Sequence, residues 1–395
     1  MRLTASHFKQ IQTALVESFN RDELIVMMRI ELDQKLDAIA GGDTLTTLVH
    51  SLLTWAETSN RVGDLVQGAA RHYSANAELA RLAQEYHLWF DAAKTTPQSM
   101  YVAHQVLQGH YEEVMALAID PDNRTLVSAD WEAAVLLWDI RSGTLLRKLT
   151  GQAGPILAVA YSPTERHVAS AGMDGTVIIW DITTGALVQT FESILFPISS
   201  LAYRRDGHYI VGGSFEPAVY LWHARRGELH SNSKCHKDQV LAVAFSPDGK
   251  TVASGGRDGI VNLLDSSLLE VRRTLVGHSG AVQAVAFDPY GQVLVTASDD
   301  ATLRLWDVAT GTSLRTLHGH AGGVHSAAFA SQRTIVSCGQ DNTLRVWHAT
   351  TGELLQVMEA QVSGWPTLTV SSDGVMLAYA VGPAVHLTQR VDGLV

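Results

Sequence analysis

The chain has 395 residues, of which 46% are hydrophobic, and a formal net charge of −11. A length of this order predicts two or three domains, and the acidic balance argues against nucleic acid as a partner, because that affinity rests on Lys and Arg neutralising phosphates. Only two cysteines occur, Cys235 and Cys338, so a disulfide framework is not expected. The sequence lacks a signal-peptide pattern and a long uncharged apolar run, so we expect a soluble cytoplasmic protein with no membrane segment.

The first ninety residues carry apolar side chains at helical spacing. Phe8, Ile11, Leu15 and Phe19 fall at i, i+3, i+7 and i+11, the spacing of one helix face. Four more amphipathic stretches follow, over residues 24–39, 45–55, 62–69 and 79–89. Short helices with brief connections predict an all-α bundle over residues 1–90. Residues 91–100 lose the pattern and contain a proline, so we predict a linker there.

Residues 4–82 resemble a known family of helical domains. The resemblance rests on the segments LDAIAGG (36–42) and LLTWAE (52–57) and on Asn76 with Leu79, and it points to effector-associated domain type 1 of bacterial conflict and defence systems. That family implies a death-like fold that pairs with a like domain on another protein and so couples a sensor or scaffold to an effector such as a protease. The resemblance therefore implies an effector with a similar helical domain as a partner.

A tryptophan returns at a nearly constant interval through the rest of the chain. Intervals of 42, 42, 84 and 41 residues separate the ends of five similar apolar runs, at Trp138, Trp180, Trp222, Trp306 and Trp347. Leu264 stands where the double interval predicts a further tryptophan, and residues 384–388 repeat the run weakly. Self-similarity at this period indicates seven structural repeats. Within each repeat, short runs separated by Gly, Asp and Pro turns predict a four-stranded antiparallel unit.

The residues around these strands resemble WD40 repeats. Gly-His pairs such as Gly277-His278 open a repeat, and Trp-Asp pairs such as Trp306-Asp307 end its third strand. The family implies a β-propeller, a ring of four-stranded blades. The last repeat supplies three strands, and residues 101–107 form a strand without a repeat of its own. Because closure removes free sheet edges, we predict an all-β propeller of seven blades over residues 101–395, with 101–107 as the outer strand of the seventh.

The recurrent histidines resemble a catalytic or metal-binding pattern, but the family implies a structural hydrogen-bond chain of His, Ser or Thr, Trp and a turn Asp. Two repeats match all four positions: His278, Thr296, Asp300 and Trp306 in the fifth, and His320, Ser337, Asp341 and Trp347 in the sixth. The others depart: the first offers Asp130 or Glu132, the second has Gln152 for His, the third has Gly212 and Glu216, the fourth has Leu264 for Trp, and the seventh has none.

Searches for catalytic motifs find nothing. The sequence contains no P-loop, no HExxH, no CxxC and no nucleophile elbow. We therefore predict no catalytic residue, no metal ligand and no cofactor, and we expect a protein that is not an enzyme.

Two positions in each repeat predict a binding face. The residue before each turn Asp lies where the turns between the second and third strands emerge, at Trp131, Met173, Phe215, Arg257, Asp299, Gln340 and Val381. The second residue of each first strand lies on the same face, at Met115, Leu157, Ser199, Leu241, Gln283 and His325. Large apolar residues gathered on one side predict a protein or peptide site with Trp131 as its anchor. The alternative is that Trp131 and Phe215 cover irregular neighbouring blades.

These features together favour a non-enzymatic adaptor or sensor in a bacterial conflict system. The propeller would bind a protein or peptide, and the helical domain would recruit an effector by like-with-like interaction. The alternative is a structural scaffold whose helical domain drives oligomerisation or docks on its own propeller. The sequence leaves the oligomeric state open. A hydrolase would need an exposed nucleophile beside His325 or His386, and the sequence offers none there.

Overall fold

The chain divides into two units, with the main boundary between Gln98 and Ser99. A computed structural model describes residues 100–191, 194–360 and 366–391 of the second unit. In the first unit it describes residues 11–13, 15, 16, 19, 24, 45–58, 65 and 69. The linker predicted over 91–100 lies outside the described residues, except for Met100.

The first unit contains the helix α1, Leu45–Thr58, in the place where the apolar spacing predicts one. This helix buries Val49, Leu52 and Leu53 completely, and Ile11 and Leu15 are also completely buried in helical backbone. Ile11, Leu15, Leu52 and Leu53 belong to the predicted apolar faces, and Val49 falls within the same predicted stretch as Leu52. The other predicted helices lie largely outside the described residues, so the five-helix bundle and its death-like fold stay predictions.

The second unit consists of seven four-stranded antiparallel sheets, each forming a blade, and in six of them the four strands follow one another along the chain. Alternation of apolar and polar residues, with Gly and Asp at the turns, accounts for strands of three to nine residues. The strands of blades one to three are β2 Val114–Ile119, β3 Thr125–Asp130, β4 Val135–Asp139, β5 Leu145–Leu149; β6 Ile156–Tyr161, β7 His167–Gly172, β8 Val177–Asp181, β9 Leu187–Thr190; β10 Ile198–Tyr203, β11 Tyr209–Ser214, β12 Val219–His223, β13 Leu229–Ser233.

The strands of blades four to seven are β14 Val240–Phe245, β15 Thr251–Gly256, β16 Ile260–Asp265, β17 Val271–Val276; β18 Val282–Phe287, β19 Val293–Ser298, β20 Thr302–Asp307, β21 Ser313–His318; β22 Val324–Ser331, β23 Thr334–Gly339, β24 Thr343–His348, β25 Leu354–Glu359; β26 Leu368–Val370, β27 Met376–Val381, β28 Ala384–Val391, with β1 Met100–Gln108. The prediction of a seven-bladed propeller is confirmed.

Strand β1 completes the seventh blade. It pairs antiparallel with β28 from Met100, opposite Val391, to Gln108, opposite Ala384, with a register shift between Ala103 and Gln105. The buried Tyr101 hydroxyl donates to the Gly374 carbonyl oxygen at 2.7 Å. The Gln356 side chain of blade six accepts from the Tyr101 N–H at 3.0 Å and donates to its carbonyl at 2.9 Å. The first strand of the unit is therefore held to both of the last two blades.

The hydrophobic core lies between the blades. One cluster joins blades one and two through Val127 and Trp180, and equivalent clusters follow around the ring to one that joins blades seven and one through Val385 and Trp138. Each blade thus buries its faces against its two neighbours, and closure of the ring gives the first and last blades a neighbour on both sides. Among the described residues, no helix is long and apolar enough to span a membrane.

Candidate functional site

Blades five and six contain the hydrogen-bond chain that the sequence pattern assigns to them. His278 Nδ1 lies 2.8 Å from Asp300 Oδ2, His278 Nε2 lies 2.7 Å from Thr296 Oγ1, and the Trp306 indole N–H donates to Thr296 Oγ1 at 2.9 Å. Blade six repeats these contacts at 3.0, 2.8 and 2.9 Å with His320, Asp341, Ser337 and Trp347. Each chain ties the loop before the first strand to the turn between the second and third strands.

Blades one and two build the same chain from other residues. In blade one His110 Nδ1 lies 2.7 Å from Asp130 Oδ2, so Asp130, rather than Glu132, supplies the carboxylate. In blade two the Gln152 amide donates to Asp174 Oδ1 at 3.1 Å and accepts from the Ser170 hydroxyl at 2.7 Å. A glutamine amide has both a donor and an acceptor, as a neutral imidazole does, so Gln152 replaces histidine without breaking the chain.

Blades three and four depart further. In blade three the Glu216 carboxylate accepts from the Tyr220 hydroxyl, and Tyr220 stacks on Trp222 with ring centroids 5.6 Å apart. A Cβ atom at Gly212 would lie 2.7 Å from Trp222 Cζ3, so this glycine leaves room for the indole. In blade four Leu264 is completely buried in place of tryptophan. Blade four still keeps part of the hydrogen-bond chain, because His236 lies 3.1 Å from Asp258 Oδ1 and 2.8 Å from Ser254 Oγ, and only the indole donor is replaced by apolar packing.

The buried His–Asp pairs cannot act on a substrate. The side chains of His110, His236, His278 and His320 have no exposed surface. Burial lowers the pKa of His278 and of His320 against the opposing effect of their Asp partners, so both imidazoles are neutral near pH 7. Burial alone would raise the pKa of Asp300, but hydrogen bonds from Thr302 and His278 lower it to about 2. The pairs are satisfied internally and stabilise their blades.

The predicted binding face is built from two recurring backbone features. In blades one to six the pairing of the first two strands shifts register at the second residue of the first strand, which forms a β-bulge. A bulge re-aims the side chain that it carries, and the bulged residues are Met115, Leu157, Ser199, Leu241, Gln283 and His325.

The second feature is the residue that follows each second strand. Its backbone N–H donates to a carbonyl oxygen of the loop before the first strand at 2.8 to 3.0 Å, as from Trp131 to Glu113 and from Arg257 to Gln239. The same bond occurs at Met173, Phe215, Asp299 and Gln340. It holds the turn against the loop, so the side chain at this position lies at the opening of the ring on the same face as the bulges.

These positions line one cavity of about 660 Å³. All seven residues that the sequence predicts as partner-binding contribute to it: Met115, Trp131, Leu157, Met173, Phe215, Leu241 and Arg257. Asp299, Gln283, His325 and Ser199 also line it, whereas Gln340 and Val381 lie outside its lining. Trp131 is 44% exposed and Met173 is 39% exposed, so their own loops do not cover them. A cavity of this size is in the range of ligand sites in proteins.

The cavity is divided by chemical character. Blades one to three supply Met115, Trp131, Leu157, Met173 and Phe215 together with the small polar Ser199 and Ser200, and Leu241 of blade four extends the apolar part. Blades four to six supply Arg257, Gln283, Asp299 and His325. The Asp299 carboxylate accepts from Gln283 Nε2 at 2.9 Å and lies 3.5 Å from His325 Nε2. Burial lowers the pKa of His325, so its ring is neutral near pH 7. One side can therefore hold an apolar group while the other hydrogen-bonds to a polar one.

Sequence reasoning missed an extension of the apolar side. Tyr111 is 85% exposed, Leu195 is 96% exposed and Phe196 is 44% exposed. All three lie in the loops that precede the first strands of blades one and three, at the same end of the blades as the cavity. The adjacent pair Leu195-Phe196 in a loop is the signal that could have identified it, because large apolar residues rarely stay exposed together without a function.

The described residues offer no alternative centre of chemistry. Among them, no group of three or more His, Cys, Asp or Glu side chains could hold a metal ion. Cys338 is completely buried, and Cys235 is half-buried with its thiol pKa raised mainly by burial.

Comparison with known proteins assigns families to both parts of the chain. The family model of effector-associated domain 1 matches residues 1–87. The model of the WD domain, G-beta repeat, matches residues 102–139, 143–181, 227–265, 269–307 and 311–348. Strands β10, β11 and β12 of blade three, where Tyr220 stacks on Trp222, lie outside these ranges, as do strands β26, β27 and β28 of blade seven. No curated protein matches the chain.

Proposed function

We propose that this chain, a WD40-repeat β-propeller protein that begins with an effector-associated domain 1, brings an effector to a protein or peptide bound on its propeller. The combination of the two domains is that of a protein-interaction adaptor. The finer proposal has two parts: the cavity on the propeller face binds a partner, and the N-terminal domain recruits an effector that carries a similar domain. We place this function in a bacterial conflict or defence system, in the cytoplasm.

The observation that carries the propeller half is the gathering of large apolar side chains at the mouth of one cavity. Trp131, Met173 and Phe215 come from three neighbouring blades, at the equivalent position in each. Exposed apolar side chains cost free energy in water, and burying one gains roughly 25 cal/mol per Å² of apolar surface. Tryptophan beside a pocket is the residue type that most often carries binding energy at an interface. A partner protein that covers this side of the face would gain from it.

The recruitment half rests on the family of the N-terminal domain. A domain that pairs with its own kind needs no enzyme chemistry to act, because tethering raises the effective concentration of the effector near the bound partner. The buried and internally satisfied His–Asp pairs of the propeller fit that role.

The recruitment half can be tested with purified proteins. The full chain is mixed with a protein that carries an effector-associated domain 1, and the complex is measured by size-exclusion chromatography with light scattering. We expect association, and we expect the Trp131→Ala variant to associate equally well, because that residue belongs to the other surface. No association with any such protein would refute recruitment. A mass that rises with the concentration of the chain alone would instead favour the oligomeric scaffold.

A further inference from the structure

Arg257 is a cation without a counter-ion at the rim of the cavity. Its guanidinium donates one long hydrogen bond, of 3.4 Å, to Gln239 Oε1. Within residues 100–191, 194–360 and 366–391, no carboxylate forms an ion pair with it. An arginine fork carries five N–H donors and matches the two oxygens of a carboxylate. Most of the donors of Arg257 are therefore available to a ligand.

The carboxylate among the residues that line the cavity, that of Asp299, forms no ion pair with Arg257. The Asp299 carboxylate contacts Gln283 of its own blade at 2.9 Å and His325 of blade six at 3.5 Å. Because burial keeps His325 neutral near pH 7, Arg257 and Asp299 are the charged residues of the lining, and they face different partners. The side of the cavity next to Phe215 and Leu241 thus carries an uncompensated positive charge.

The apolar side chains on the bulges are more buried than the side chain of Arg257. Met115, Leu157 and Leu241 are half-buried on their bulges, whereas Arg257 is exposed. A peptide that entered the cavity by its carboxyl terminus would bring its charge to the level of the apolar side chains, away from Arg257. A segment that passes over the opening can insert an apolar side chain and keep an acidic side chain at the rim.

We propose that the occupant of this cavity is an internal segment of a partner protein in which a large apolar side chain lies within a few residues of an aspartate or glutamate. The apolar side chain enters between Trp131, Met173 and Leu157, and the carboxylate accepts hydrogen bonds from Arg257. This proposal rests on the proposed function, in which the same face binds a protein, and it adds the chemistry by which the face selects its partner.

The probe is a display library in which a random stretch of seven residues is flanked on both sides by other residues, so that neither end of it is a chain terminus. The library is selected for binding to the purified full chain. Peptides that also bind the Trp131→Ala variant are removed. We expect the remaining peptides to be enriched in sequences that pair Phe, Trp, Leu or Met with a nearby Asp or Glu. One such peptide is then synthesised with both ends capped, together with its Glu→Gln counterpart, and the Kd of each is measured by fluorescence anisotropy.

The expected result is a coupling between the acidic side chain and Arg257. Replacing Glu by Gln in the peptide should weaken binding to the natural chain about fivefold at low salt, as for an exposed ion pair. The same change should have no effect on the Arg257→Gln variant. The Lys237→Gln variant is the matched control, since it removes an exposed cation of the same blade outside the lining, and it should behave as the natural chain does.

Three results would overturn the proposal. Selected peptides that lack acidic residues, or an equal effect of Glu→Gln on the natural chain and on Arg257→Gln, would remove the acidic segment and leave the adaptor function standing. Loss of binding when the peptide carboxyl terminus is amidated would identify a chain end as the occupant. A selection that yields no peptide dependent on Trp131 would reject both this proposal and the propeller half of the proposed function. Unchanged melting of each variant confirms that folding is not the cause.

Discussion

Replacing Tyr101 by phenylalanine should weaken the closure of the ring. Tyr101 is 3% exposed, its hydroxyl donates to the Gly374 carbonyl oxygen at 2.7 Å, and its backbone is held by Gln356 of blade six. The substitution keeps the ring of the side chain and removes the hydroxyl. The buried Gly374 carbonyl then loses this donor, which costs about 1–3 kcal/mol of folding free energy.

Replacing Tyr101 by alanine should cost more, about 3–5 kcal/mol, because it also removes an aromatic ring from the core between blades six and seven. The Tyr111→Phe variant is the matched control. Tyr111 is 85% exposed, and a surface change of this kind alters stability by less than about 0.5 kcal/mol. The order of stability is therefore Tyr111→Phe, then Tyr101→Phe, then Tyr101→Ala.

Urea denaturation of the full chain, followed by tryptophan fluorescence, measures this order because buried tryptophans occur in five of the blades. Hydrogen exchange should locate the loss, with the amides of β28 losing protection first. Equal midpoints for Tyr101→Phe and Tyr111→Phe would show that the hydrogen bond from Tyr101 to Gly374 does not stabilise the closed ring.

Three further predictions concern the blades. Thr296→Val removes the hydroxyl shared by His278 and Trp306 and should destabilise the protein by about 1–3 kcal/mol in urea denaturation. An unchanged urea midpoint would exclude a stabilising role for the hydrogen bonds of blade five. His278→Gln should be tolerated, because Gln152 occupies the equivalent position in blade two. The pKa of His278 in the folded protein lies below its ordinary 6.5, so the unfolded state binds the proton first and folding stability falls as the pH drops below 6.5. The His278→Gln variant should therefore lose less stability in acid than the natural protein. An acid dependence identical to that of the natural chain would contradict this. Gly212→Ala should cost about 1–3 kcal/mol in urea denaturation, because its Cβ would lie 2.7 Å from Trp222. Gly154→Ala, where no atom lies nearer than 3.8 Å to the added Cβ, should leave the urea midpoint unchanged.

The periodic features of the fold could be predicted from the sequence because each blade repeats the same physical solution. The tryptophan interval gave the number of blades even where Leu264 interrupts it. Ring closure by β1 followed from a strand count that left one strand too many at the start and one too few at the end. The first unit has no such periodicity between elements, so the amphipathic pattern predicts helices such as α1 but not how they pack.

The candidate site was only partly predictable. The sequence identified which residues share a face, but the bulge at Leu157 and its counterparts is a backbone feature that no side chain specifies. The pairing of Asp299 with Gln283 and His325, which leaves Arg257 alone, depends on side-chain directions across two blades. The role of Gln152 was also hidden, because its type differs from histidine while its hydrogen-bonding capacity does not.

The central claim is that the propeller face and the N-terminal domain are separate binding surfaces. The measurement that tests it most directly is the Kd of a face-selected peptide for Trp131→Ala, compared with Tyr290→Ala, which removes an aromatic residue that is 63% exposed in a turn at the opposite end of a blade. We predict a loss of about tenfold or more for Trp131→Ala, none for Tyr290→Ala, and undiminished association of both variants with a protein that carries an effector-associated domain 1. Equal peptide affinity for both variants, or loss of both interactions in Trp131→Ala while it melts normally, would contradict the claim.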